Sequence, residues 1–76
     1  MLAAALEHVV KGIVDRPDDV RIVSSSSPRG DVLEVHVAAE DRGRVIGRGG
    51  RTAKALRTVV AALADGKRVR VDVADG

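Results

Sequence analysis

Three glycines, Gly47, Gly49 and Gly50, fall within four positions, between two stretches of helical spacing. Glycine enters backbone regions closed to other residues and weakens a helix interior, so no single helix runs through this point. The chain must break and turn there, and its two helical stretches must pack around the break. With 76 residues there is room for one domain, taken as residues 1–76. A chain this short buries only about 60% of its unfolded surface. Its core has no Phe, Tyr, Trp or Cys to draw on. Packing therefore falls to Val, Leu, Ile and Ala, with self-association left open as a further source of stability.

The apolar spacing around the break sets out the remaining elements. Leu2, Leu6, Val9, Val10 and Ile13 recur at helical intervals and share one face. Pro17 closes that segment. Residues 19–24 alternate as a short strand, and residues 24–31, SSSSPRGD, read as a loop. In the strand that follows, Leu33, Val35 and Val37 face one way and Val32, Glu34 and His36 the other. Residues 39–46 form a short helical turn with Glu40 and Asp41 near its start, where the helix dipole favours negative charge. The next helix runs from about 51 to 64, with Ala53, Leu56, Val60 and Leu63 on its core face. Asp65-Gly66 is a turn, and Val69, Val71 and Val73 alternate in a last strand. This order predicts an α+β two-layer sandwich, with helices on one face of a three-stranded sheet.

The glycine turn carries the functional signal. A glycine turn before a helix presents backbone N–H groups and the positive helix end, a setting that favours an anion. No acidic residue lies between Asp41 and Asp65, whereas Arg42, Arg44, Arg48, Arg51, Lys54 and Arg57 do. Six of the 13 basic residues thus cluster around one turn and would attract a polyanion. The P-loop pattern fails for want of GK[ST] after a buried strand, and G-x-G-x-x-G fails as well. A single-stranded nucleic-acid backbone fits better, though without aromatic stacking. Arg29 reads as a solvated charge, as do Asp72 and Asp75. His8 and His36 lack the neighbours of a metal or catalytic site. No metal, cofactor, small-molecule substrate or enzymatic activity is expected. Neither a secretory leader pattern nor an apolar run long enough for a bilayer is visible, so a soluble cytoplasmic protein is expected.

With its flanks, RVIGRGGRTAKAL resembles the signature of the K-homology (KH) RNA-binding family, V-I-G-x-x-G-x-x-I/L between two helices. Gly47-Arg48-Gly49-Gly50 matches the GxxG loop. The order α-β-β-α-α-β resembles the type II KH domain, and the length and the run DRGRVIGRGGRTAKALRTVV resemble the small bacterial KhpA family. In KH domains the loop clamps the backbone of about four nucleotides. The resemblance implies RNA binding by Val45, Ile46, Gly47, Arg48, Gly49, Gly50, Arg51 and Lys54, with Arg44 in the same basic run. Val45 and Ile46 would line the groove and Arg48 would reach phosphate. The far wall would be the strand around Leu33 to Val37, with SSSSPRG as the variable loop. It further implies an RNA chaperone or post-transcriptional regulator linked to cell-shape or division control.

A last stripe, Ala55, Val59 and Ala62, lies beside the core face of the final helix. It reads either as the margin of the core or as a dimer interface where small side chains allow close approach. The resemblance implies a homodimer, or a heterodimer with a KhpB (Jag-type) KH protein. The competing reading is an adaptor that dimerises through this helix with weak or no RNA binding. Single-stranded DNA also stays open as a ligand, because a 2′-OH contact is not readable from sequence.

Overall fold

The computed structural model describes residues 2–74. Asp75 lies outside the described residues. Helix α1 spans Leu2–Ile13, and only Leu6 and Val10 of its apolar set are fully buried. At about 100° per residue, Leu6 and Val10 form one line with the partly buried Ala3 and Val14. Val9, about 60° from Leu6 on the other side, falls on its flank and stays exposed, as does Ile13 at the end of the helix. A single 3-10 turn, Pro17–Asp19, then leads into strand β1, Arg21–Ser27.

The serine run is strand rather than loop. Ser24 to Ser27 pair in register with Leu33 to Gly30 of strand β2, Gly30–His36. Only Pro28 and Arg29 are left in the turn. Proline sets the backbone angle of its first position, and the Ser27 hydroxyl accepts the Arg29 N–H at 3.3 Å and donates to the Gly30 carbonyl at 2.9 Å. Serine is a weak strand former, but the ladder to β2 overrides that preference on a solvent-exposed edge.

Helix α2, Arg42–Ile46, follows the 3-10 turn Ala39–Asp41. Helix α3, Arg51–Leu63, follows the turn Arg48–Gly50. Strand β3, Val69–Val73, then pairs in parallel with β2, giving a sheet in the order β1-β2-β3. Leu6 and Val10 of α1, Val45 of α2, and Leu56 and Val60 of α3 meet Leu33, Val35 and Val71 on one sheet face. The α+β two-layer arrangement is therefore present as the spacing predicts. On α3 the core line is Ala53, Leu56, Val60 and Ala64, not Leu63. Ala64 lies about 20° from Ala53 around the helix, whereas Leu63 lies about 80° off and is exposed. The turn after α3 uses left-handed backbone at Asp65 and Gly66, where a turn was expected.

Candidate functional site

The position of the glycine turn is set from behind by Asp41. This carboxylate is 1% exposed and accepts the N–H groups of Asp15 at 3.1 Å and Arg16 at 3.0 Å. Those donors sit just past the end of α1, so Asp41 ties that end to the start of α2. Arg44 closes the bracket with both terminal nitrogens on Asp15, the nearer at 2.8 Å, and its Nε 3.8 Å from Asp41. Asp41 is thus a buried acceptor rather than a surface charge at a helix start. Nothing in the local sequence marks it, because its partners lie about 25 positions upstream.

From that anchor α2 delivers Val45 and Ile46 in opposite senses. Val45 is 0% exposed and packs in the core, so it offers no surface to a ligand. Ile46 is 39% exposed. The two side chains lie about 100° apart around the helix, so with Val45 facing the core Ile46 comes out at its margin.

The turn itself depends on its glycines for two different reasons. Gly47 has φ of 77°, and a Cβ there would overlap the side chain of Thr52 and lie 2.8 Å from its backbone nitrogen. Gly49 and Gly50 also have positive φ, 65° and 77°, but open space surrounds them. The Gly50 N–H donates to the Gly47 carbonyl at 3.1 Å and closes the turn. Helix α3 begins at once with no side-chain cap and no acidic residue in its first turn. The Arg51 N–H closes back on the Arg48 carbonyl, and the N–H groups that follow it in the first turn of α3 have no side-chain cap. Arg48, at the tip, and Arg51 and Lys54, in the first turn of α3, are exposed and form no ion pair among the described residues.

A groove of about 530 Å³ opens next to this turn. Ile46, Gly50, Ala53 and Arg57 form its helical side, and Asp72, Val73, Ala74 and Glu34 form the other. The far wall is thus mainly the end of β3, not Leu33 to Val37, because Leu33 and Val35 turn into the core. The serine hairpin lies at the opposite end of the strands: its turn adjoins the start of β2, whereas the groove adjoins the ends of β2 and β3. Sequence reasoning placed Arg57 in the basic run but not at the site. Its Nε donates to the Val71 carbonyl at 3.1 Å, which lays the side chain across the seam between α3 and β3. The signal was its spacing, since Gly50, Ala53 and Arg57 fall at i, i+3 and i+7 on one strip. Arg44 does not join this group, as its guanidinium is committed to Asp15 and Asp41. Nor do Arg51 and Lys54 line the groove; they flank the turn from outside it.

A GxxG turn entering α3 beside a groove, in the order α-β-β-α-α-β with β3 parallel to β2, fits the class of type II KH domains. The sequence model of the KhpA/KhpB KH domain matches residues 3–74. Curated relatives of the chain carry the name RNA-binding protein KhpA. The chain is 79% identical to that of Leifsonia xyli subsp. xyli over 75 residues, 99% of each chain. It is 63% identical to the Streptomyces coelicolor protein, covering 99% of this chain and 94% of the relative. With the Mycobacterium tuberculosis protein the identity is 61% over 71 residues, 93% and 88% of the two chains. The chain belongs to the KhpA/KhpB KH-domain family, which is not a family of enzymes. No solved structure matches it.

Ala55, Val59 and Ala62 are exposed along α3, and Val59 borders the buried Leu6, Leu56 and Val60. Val59 at 48% and Leu63 at 55% exposure adjoin Val9 of α1 around a small apolar depression between the two helices. No helix among the described residues is long and apolar enough to cross a membrane.

Proposed function

We propose that the chain is a single KH domain, residues 1–76, that binds single-stranded RNA in the cytoplasm and acts by binding alone. The observation that carries this reading is Arg48, without an ion-pair partner among the described residues, at the tip of a glycine turn directly before a helix with no side-chain cap. Phosphate accepts from first-turn N–H groups of α3 beyond Arg51, whose own N–H is held by the Arg48 carbonyl, and gains charge contacts from Arg48 and Arg51. Gly47 and Gly50 hold the turn, Gly49 lets the backbone approach, and Lys54 adds charge outside the groove. Ile46 supplies apolar contact to a base, and Arg57 supplies donors to a base edge at the groove floor. Relatives named as RNA-binding proteins support the choice of ligand. With no aromatic platform the site is weak and short, suited to an RNA chaperone or post-transcriptional regulator. The link to cell-shape or division control rests on the family resemblance.

The test is the double variant Arg48→Asp/Gly49→Asp, titrated with single-stranded RNA at low salt. Affinity should fall at least about ten-fold, because two phosphate contacts become repulsive. Unchanged affinity would remove the turn as the site. Matched RNA and DNA oligonucleotides in competition across a salt series separate the two nucleic acids.

A second reading, protein pairing through α3, is favoured by one observation. Ala55, Val59 and Ala62 are small or β-branched, exposed, and continuous with Leu63. A homodimer, or a heterodimer with a KhpB-type KH protein, would cover them. Val59→Asp should give a monomer in sedimentation. A dimer that survives this charge would exclude the face.

A further inference from the structure

Basic residues gather a second time, at the other end of β3. Arg29 of the hairpin turn, Lys67 and Arg68 ahead of β3, and Arg70 within it line an open hollow of about 540 Å³. Asp31 is the one carboxylate in that lining. Arg29, Lys67 and Arg68 form no ion pair and no side-chain hydrogen bond among the described residues. Among the described residues Arg70, 75% exposed, pairs only with Asp72, at 3.0 Å. The contrast is with Arg16 and Arg44, each paired to carboxylates of its own fold. Like charges gathered without partners repel one another, and the fold gains nothing from them. The backbone brings them together all the same. The Arg68 carbonyl accepts the Asp31 N–H at 2.9 Å, and Gly30 has room for that approach only because it lacks a Cβ.

The hollow and the groove share a strand. Val69 and Arg70 line the first, Asp72 and Val73 the second, along the edge of the sheet that β3 forms. Two residues of strand, roughly 7 Å, separate Arg70 from Asp72. Between the two basic ends stand the carboxylates of Glu34 and Asp72, paired in register on the outer sheet face. Asp72 is paired with Arg70 and Glu34 lies against His36, so phosphate gains no cation there and a polyanion along this edge is gripped at its ends and not in the middle.

We infer that the hollow formed by Arg29, Lys67, Arg68 and Arg70 is a second phosphate-backbone site. A single RNA strand held at the glycine turn continues along β3, past Glu34 and Asp72, and is gripped again there. The inference rests on the RNA reading of the glycine turn, and the experiment separates the two. The full chain carrying Arg29→Glu/Lys67→Glu is titrated with a tetranucleotide and with a dodecanucleotide of RNA across a salt series, beside the wild type and Arg48→Asp. Both residues are exposed, and thermal unfolding followed by circular dichroism checks that the fold is kept. Dodecanucleotide affinity should fall roughly ten-fold at low salt, and the slope of log K against log salt should drop by about 1.4, two single-strand contacts. Tetranucleotide affinity should change less than about two-fold. In the wild type, the amide resonances of Arg68 and Arg70 should shift with the dodecanucleotide and not with the tetranucleotide. Unchanged dodecanucleotide binding, with Arg48→Asp still weakening both lengths, overturns the second site alone. An equal loss at both lengths means a general field effect and also overturns it. Arg48→Asp without effect on either length overturns the glycine-turn reading, and the second site with it.

Discussion

Two arginine-bearing corners lie only four residues apart along the chain, at Arg44 and Arg48, and they use the same side chain for opposite ends. At the Asp41 corner, Arg44 reaches back to Asp15 and Asp41, and a buried carboxylate takes two backbone N–H groups. Every charge there has an internal partner. At the glycine turn, Arg48 and Arg51 have none among the described residues, and the helix behind them has no cap. A run that reads in sequence as one basic patch is therefore divided. One part fastens the fold, and the other is left for a ligand. Charge alone does not tell the two apart; the location of the nearest carboxylate does.

The comparison breaks most visibly at Asp41. Asp41→Ala strands the N–H groups of Asp15 and Arg16, and urea denaturation should show a loss of about 2–4 kcal/mol. If that variant kept full stability, the first corner would not be a fastening at all. Gly47→Ala probes the other corner. The positive φ and the overlap with Thr52 together should cost about 2 kcal/mol by the same measurement and weaken RNA binding with it, whereas Gly50→Ala, with open space around it, should cost only about 1 kcal/mol. Arg44→Gln should have the smallest effect. It removes a half-exposed pair, so stability should drop by under about 1 kcal/mol and RNA affinity should stay within about two-fold. A large loss of affinity from Arg44→Gln would place this residue with Arg48 and dissolve the division.

Much of the fold was legible because periodicity reports directly on burial. The alternation of Leu33 and Val35 with Glu34 and His36 located the sheet's inner face, and the spacing of Ala53, Leu56 and Val60 located the inner face of α3. Legibility failed where a long-range partner overrode a local preference. Ser24 to Ser27 prefer turns by themselves, yet the ladder to β2 makes them strand. Val45 and Ile46 are alike in sequence, and the tether at Asp41 together with the packing of α2 on the core decides which one is buried. At the site, the turn and Arg48 followed from local glycine and charge patterns. The wall contributed by Asp72 to Ala74, and Arg57 bridging to it, depend on parallel pairing between β2 and β3, which no local pattern specifies.

That parallel pairing also orders events in time. Ser27 meets Gly30 across a two-residue turn, whereas Asp31 meets Val69 only after α2, the glycine turn and α3 have been laid down between them. Closing the longer loop costs more entropy, so the hairpin assembles early and β3 docks late. One wall of the groove is thus built from the last strand to arrive. Native-state hydrogen exchange should find β3 opening ahead of β2, with the groove losing its far side before the core comes apart.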